Sequence, residues 1–183
     1  QKIKIDRIYN RIVLDELKNQ TKEIQDKGAL LWSNLDIEWV THPHHFFRFS
    51  KYSLPFLNGI SIPYTQFLHT VKEIPSNLDH YILKPLFSFG GQGVMLDPTI
   101  DSIHAINDPE NWILQKKVTY AAVIETPSGR SKAEIRLFYF WDKQLGRYVA
   151  TNNLTRISKG PMIGVSFNNT ATWIGGSISY FEL

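Results

Sequence analysis

The chain has 183 residues, of which 43% are hydrophobic and 20% charged, so it can form a folded core as one domain or two small lobes. It contains no cysteine, which excludes disulfides, thiolate metal sites and thiol nucleophiles and fits a cytoplasmic protein. No apolar run reaches the ~20 residues of a membrane-spanning helix, so we expect no membrane partner.

The charge is mild overall but unevenly distributed. The net charge of +3 is too small to favour nucleic acid as a partner. No acidic residue occurs between Asp142 and Glu182, whereas Lys143, Arg147, Arg156 and Lys159 lie in that stretch. The stretch is either a β region that happens to lack acids or a surface that meets an anion.

The first half of the chain mixes predicted helices and strands. Apolar spacing predicts a helix over 8–27 that ends at Gly28, and Thr99 is a candidate N-cap for a helix over 99–107. A short helix is predicted over 51–58. Strands are predicted at 36–40, 80–86 and 94–97.

The second half is predicted to be mostly β. The best hairpin signal consists of two β-rich runs around the turn at 126–129. Further strands are predicted at 112–119, 147–158 and 162–168. The pattern indicates the α+β class, rich in antiparallel strands, with the helices mostly in the first half.

A glycine-rich turn follows the strand that carries Lys84 and Pro85. Its glycines, Gly90, Gly91 and Gly93, would let backbone N–H groups approach phosphate oxygens, and Lys84 would add a cation. The turn is neither a Walker A loop nor a dinucleotide fingerprint, because no GK[ST] follows and it opens a strand. An ordinary β-turn remains the alternative.

The strand AEIRLFYFW places an acid and a base on one face. Two-residue periodicity puts Glu134 and Arg136 on the same side, about 6.7 Å apart along the strand. They form either a structural ion pair or a contact to ATP and its metal.

The order of these motifs resembles the ATP-grasp superfamily over roughly residues 1–170. Lys51 precedes the segment Gly59-Ile-Ser-Ile-Pro-Tyr-Thr65, and a strand-Lys-Pro motif leads into the glycine-rich flap. A hinge strand, Ile113-Leu-Gln-Lys-Lys-Val118, comes next. The acidic-x-Arg strand and a later arginine, Arg156, complete the order.

The resemblance implies two α+β lobes with antiparallel sheets that clamp ATP. Residues 1–45 would be the tail of a preceding substrate-side domain, and 46–183 the ATP-binding domain. The flap lobe would span about 64–116 and the second lobe about 117–183. Such proteins activate a small-molecule or peptide carboxylate as an acylphosphate, which an amine or similar nucleophile attacks.

The resemblance also implies roles for individual residues. Arg136 and Arg156 would be catalytic and neutralise the triphosphate. Glu134 and Asn168 would hold Mg²⁺. Gln115 is alternatively a simple polar residue at a strand end. The residues implied to bind ATP are Lys51, Ile82, Lys84, Gly90, Gly91, Gln92, Gly93, Gln115, Lys116, Lys117 and Val118.

One departure from the family pattern leaves the activity open. The family's second metal-binding strand reads Glu-x-Asn, whereas this chain has Ser166-Phe167-Asn168. Mg²⁺ normally needs one or two carboxylates besides phosphate oxygens. A nucleotide-binding module without ligase activity is therefore the alternative, and an aromatic-rich nucleic-acid- or glycan-binding domain is a third interpretation.

Other candidate chemistry is weaker. His42, His44 and His45 lie within four residues, but Pro43 and the lack of nearby carboxylates favour a loop over a metal site. No Gly-x-Ser-x-Gly motif of a serine hydrolase occurs.

Overall fold

A computed structural model describes residues 3–164 and 167–180, apart from the side chain of Asp15. The chain divides into two compact units, Gln1–Lys117 and Val118–Leu183. The predicted α+β class with antiparallel sheets is confirmed. In the part of the chain that is described, none of the helices has the length and apolar character needed to span a membrane.

The first unit begins with a small parallel sheet and two short helices. The prediction of a single helix over 8–27 is wrong, because Ile8 pairs in parallel with Trp39 and an Arg7–Glu38 ion pair of 2.6 Å joins the two strands. The helical conformation is interrupted again at residues 19–21, between two short helices. The elements are β1 (Arg7–Tyr9), α1 (Leu14–Lys18), α2 (Lys22–Gly28), a 3₁₀ helix (Ala29–Trp32) and β2 (Glu38–Val40).

The rest of this unit is built around a three-stranded antiparallel sheet. The predicted helix after Thr99 is confirmed, since Thr99 and Ser102 form a capping box, whereas the predicted strand at 94–97 is reduced to one bridge between Met95 and Leu83. The predicted helix over 51–58 is a 3₁₀ helix (Lys51–Phe56). The other elements are α3 (His45–Arg48), β3 (Thr65–Phe67), β4 (Tyr81–Pro85), α4 (Ile100–His104), β5 (Trp112–Lys116) and 3₁₀ helices at Leu68–Thr70, Leu78–His80 and Pro109–Asn111.

The two faces of this sheet have different environments. The strands lie in the order β3-β5-β4, and Leu83 opposite Leu114 forms the core with the α4 residue Ile103. Because side chains alternate along a strand, the neighbours of Leu83 and Leu114 point to the opposite face. That face carries Ile82, Lys84, Gln115 and Thr65.

The second unit is a four-stranded antiparallel sheet. Its strands, in the order β6-β7-β8-β9, are β6 (Ala122–Ile124), β7 (Ser131–Asp142), β8 (Arg147–Ser158) and β9 (Gly175–Ser177). The predicted hairpin and the strand at 147–158 are confirmed. The predicted strand at 162–168 is wrong for the residues described, which form bends and a turn closed by the side chain of Asn168. Ser166 lies outside the described residues.

Candidate functional site

Lys84 is a half-buried cation held by a neutral partner. Its ammonium donates a hydrogen bond of 2.7 Å to the side-chain oxygen of Gln115. Among the described residues, no carboxylate lies within ion-pair distance of this ammonium. Burial lowers the pKa of Lys84 from its ordinary value, because an uncompensated charge loses hydration there.

Gln115 positions the lysine. Its amide nitrogen donates to the Thr65 hydroxyl at 2.8 Å, and Thr65 donates to the Pro63 carbonyl at 2.9 Å. Gln115 is only 5% exposed, so both ends of its amide are used inside the unit. This arrangement makes Gln115 a support for Lys84. Sequence reasoning did not assign Thr65 a role in the site, although its place in the motif before β3 was visible.

The glycine-rich turn presents backbone donors. Gly90, Gly91 and Gly93 have φ angles of 60°, 84° and 69°, which residues with a Cβ rarely adopt. Within residues 3–164 and 167–180, the N–H groups of these three glycines donate no hydrogen bond. Gln92 differs, since its N–H donates to the Phe89 carbonyl at 3.0 Å. The turn therefore offers free donors of the kind that bind phosphate oxygens.

Lys51 anchors the base of this turn. Its ammonium donates to the backbone oxygen of Ser88 at 2.5 Å and to the Ser88 hydroxyl at 3.1 Å. The Ser88 hydroxyl donates in turn to the Gln92 carbonyl at 2.8 Å. Lys51 thus holds the flap in shape, and a direct contact with ATP would require it to leave Ser88.

The hinge-strand residues that the resemblance implies to bind ATP lie in and just after β5, the central strand of the same sheet. Ile82 lies directly opposite Gln115 and so shares the face of Lys84. The N–H groups of Lys116 and Lys117 both donate to backbone oxygens at 2.8 Å, and the Lys117 ammonium pairs with Asp97 at 2.8 Å. Val118 is half exposed and is the first residue of the second unit. The backbone N–H groups of Lys116 and Lys117 therefore already donate hydrogen bonds within the protein.

The second unit brings Glu134, Arg136 and Arg156 together. Glu134 lies opposite Arg156 on neighbouring strands, and its Oε1 accepts hydrogen bonds from Arg136 Nε at 2.8 Å and Arg156 Nη2 at 2.6 Å. Burial alone would raise the pKa of Glu134, but the hydrogen bonds and charges of both arginines hold it below its ordinary value. The three side chains carry a formal excess of one positive charge.

Asn168 holds the loop after β8. It is 4% exposed, and its side-chain oxygen accepts from the Ser158 hydroxyl and the N–H groups of Lys159 and Gly160 at 2.7–3.0 Å. Its amide nitrogen donates to the carbonyls of Met162 and Gly164 at 3.1 and 2.7 Å. An oxygen with three donors has no lone pair left for a metal. Asn168 as placed does not fit the role of a Mg²⁺ ligand.

A cavity of about 210 Å³ in the second unit is lined by both Arg156 and Asn168. Asp142, the other acidic residue of β7, lies at the far end of that strand, roughly 25 Å from Glu134. It caps the hairpin turn by accepting from the Leu145 N–H at 3.0 Å. No group of three His, Asp or Glu side chains is placed to hold a metal in the described part of the chain, the histidines at 42–45 included.

Each unit therefore contains its own candidate set of anion-binding groups. The first set is Lys84 with the glycine-rich turn, and the second is Glu134 with its two arginines. Each set carries a positive charge that suits an anion. No protein-family model, curated protein or solved structure matches this chain.

Proposed function

We propose that this chain is an ATP-binding protein of the ATP-grasp type that activates a carboxylate for attack by an amine or similar nucleophile. The observation that carries the proposal is Lys84, a half-buried cation with an amide partner and no carboxylate near it in the described residues. A cation in such a place is favourable only when an anion joins it. The free N–H groups of the neighbouring glycines suit phosphate oxygens in particular.

The contacts of the second unit are compatible with the same reaction. Arg136 is 51% exposed at its side chain, so its guanidinium can reach an incoming anion. In phosphoryl transfer, fixed cations that meet the developing charge supply much of the catalysis. We assign that role to Arg136 and Arg156, with Glu134 holding both in place.

Mg²⁺ fits this set only in part. Glu134 Oε2 has no hydrogen-bond partner among the described residues, so one carboxylate oxygen is open to a cation. When bound with ATP, Mg²⁺ would neutralise phosphate charge. The family's second ligand position is not reproduced, because Asn168 is occupied by the loop.

In the proposed reaction, a substrate carboxylate oxygen bonds to the γ-phosphorus of ATP. The bond from that phosphorus to the β–γ bridging oxygen breaks, and ADP leaves with the electron pair. The nucleophile then attacks the acyl carbon, loses a proton and displaces inorganic phosphate. The residues of this chain position the phosphates and neutralise their charge.

The alternative function is a nucleotide-binding module without turnover. The observation that favours it is the complete hydrogen bonding of Asn168, which leaves Glu134 as the single candidate ligand among the residues assigned to the metal. Such a protein would bind ATP without transferring its phosphate.

The experiment that tests these proposals compares adenosine, ADP and ATP by calorimetry, each with and without Mg²⁺. We expect affinity to rise with the number of phosphates, because the proposed contacts are to phosphate. Equal affinity for adenosine and ATP would contradict the phosphate site. A coupled assay for ADP release with a panel of carboxylates and amines then separates the two functions: release that depends on both substrates supports the ligase, and its absence supports the module.

A further inference from the structure

The first unit contains a second feature that the nucleotide proposal does not use. An open cavity of about 300 Å³ lies between the α1–α2 pair and a group of phenylalanines. This volume is at the lower end of the range of small-molecule sites. Apart from two polar side chains, Lys18 and Gln25, its walls are apolar or aromatic.

The helical wall of the cavity is fixed by close contacts. Gly28 at the end of α2 lies so near α1 that a Cβ there would come within 2.6 Å of the Leu17 side chain. The Gln25 amide nitrogen donates to the backbone oxygens of Lys18 and Gln20 at 3.0 and 2.8 Å. These bonds join α2 to the end of α1, so the wall is formed before any ligand binds.

The opposite wall is aromatic. The rings of Phe46 and Phe47 lie 5.5 Å apart at their centroids, and Phe47 and Phe87 also lie 5.5 Å apart. Edge-to-face contacts of this kind give a firm surface for an aromatic or branched aliphatic group. Trp32, at the end of the 3₁₀ helix, also lines the cavity and is 45% exposed.

Lys18 is the one charged residue in this lining. No carboxylate whose side chain is described lies within ion-pair distance of its ammonium, although other exposed lysines of this region are paired, such as Lys22 with Asp26 at 2.8 Å. An ammonium with no carboxylate partner in the described part of the chain, lying beside an apolar cavity, is complementary to a ligand that combines an apolar body with an anionic group.

We propose that this cavity binds a small carboxylate with an apolar, ring-sized body. The body lies among the aromatic side chains, and the carboxylate pairs with the Lys18 ammonium. One cation favours a single negative charge, which distinguishes this site from the phosphate-binding contacts around Lys84. The proposal does not rest on the nucleotide site, because none of its contacts involves Lys84 or the glycines.

The test is calorimetry on the full chain without nucleotide, using 4-phenylbutanoate, 4-phenyl-1-butanol and 4-phenylbutylamine. These probes share one apolar body and differ in charge. We expect the carboxylate to bind best and the amine worst. Lys18→Gln should weaken binding of the carboxylate by about two- to fivefold, which is the effect of losing an exposed ion pair. The affinity for the alcohol should not change.

Two further variants complete the test. Lys18→Glu should invert the preference, so that the amine binds better than the carboxylate, whereas Lys72→Glu, at an exposed lysine outside the lining, should keep the parent's order. Ala29→Phe, at an exposed lining position, should abolish binding of all three probes without changing the circular dichroism spectrum. Equal affinity for the three probes, no binding to the parent, or no inversion in Lys18→Glu would overturn the proposal.

Discussion

Lys84 is a cation of the first unit with no carboxylate partner among the described residues. Its ammonium is half-buried and has only the neutral oxygen of Gln115 as a partner among the described residues. A neutral partner orients the ammonium without neutralising it, so the charge stays available to a phosphate. A carboxylate in place of Gln115 would cancel that charge.

The first prediction concerns pH. Burial places the pKa of Lys84 in the folded chain below its ordinary 10.5, and bound phosphate favours the charged form. ATP affinity should therefore fall as pH rises through the lowered pKa toward 10.5, with proton uptake on binding. Lys84→Arg stays charged over this range and should lose the dependence. Calorimetry in buffers of different ionisation enthalpy measures the proton uptake. The same pH dependence of ATP affinity in the parent and in Lys84→Arg would contradict this prediction.

Glu134 stabilises the second unit by accepting hydrogen bonds from two arginines and offsetting their positive charge. Its pKa lies below the ordinary 4.5, so its contribution to stability is complete above that value and is lost as pH falls through the lowered pKa. Glu134→Gln should lower the free energy of unfolding by about 1 kcal/mol near neutral pH, since the group is partly exposed to screening. The difference should shrink below pH 4.5.

Denaturant unfolding of parent and variant from pH 3 to 8 checks this second prediction. Glu125→Gln is the matched control, because Glu125 pairs with Arg130 in the same unit but both side chains are about 70% exposed. We expect Glu125→Gln to have little effect on the free energy of unfolding at any pH in this range. A Glu134 effect that is independent of pH would show that its charge does not matter to stability.

At the scale of elements, the loop after β8 depends on Asn168. Asn168→Asp keeps an acceptor for Lys159 and Gly160 but places a carboxylate oxygen against the carbonyls of Met162 and Gly164. The third prediction is therefore a loss of roughly 2–4 kcal/mol in the free energy of unfolding, from two lost hydrogen bonds and buried charge. Asn169→Asp, at an exposed neighbour, should stay within about 0.5 kcal/mol.

The same variant separates two roles for Asn168. A metal ligand would bind Mg²⁺ more tightly as a carboxylate, so Asn168→Asp would raise Mg²⁺ affinity in the presence of ATP and leave stability intact. A loop support would lose stability instead. Parallel measurement of unfolding and of Mg²⁺ binding decides between them.

The glycine-rich turn is the element expected to respond to nucleotide. Among the described residues its glycine N–H groups have no acceptor, whereas the N–H groups of Gln92 and Val94 already donate to backbone oxygens at 3.0 and 3.2 Å. The fourth prediction is that ATP slows hydrogen exchange most at Gly90, Gly91 and Gly93, because these amides gain acceptors. Adenosine is the control ligand and should leave exchange unchanged. Equal protection by adenosine, or none by ATP, would remove the turn from the phosphate site.

At the scale of the whole molecule, local patterns were the predictable part. The β-rich runs and the turn residues at 126–129 predicted the β6–β7 hairpin, and Thr99 predicted the start of α4. The strand β1 was missed because its partner lies 31 residues away, from Arg7 to Glu38, and parallel pairing leaves no local signal.

The candidate site was predictable in its residue types but not in its contacts. Placing Lys84 and Gln115 on one face requires the register of β4 against β5, which sequence alone did not provide. The role of Asn168 was missed because most of its partners are backbone groups of a loop, which carry no sequence signal. The motif order predicted a nucleotide site, which remains a proposal.

The measurement that tests the central claim most directly is ATP calorimetry on the full chain and on Lys84→Met. The account predicts that the variant binds ATP weaker by roughly 1.5–3 kcal/mol, the contribution of a hydrogen bond to a charged group, with an unchanged unfolding transition. Lys72→Met, at an exposed lysine of the same unit, should bind ATP like the parent. Equal ATP affinity of Lys84→Met and the parent would contradict the assignment of Lys84 to a phosphate site.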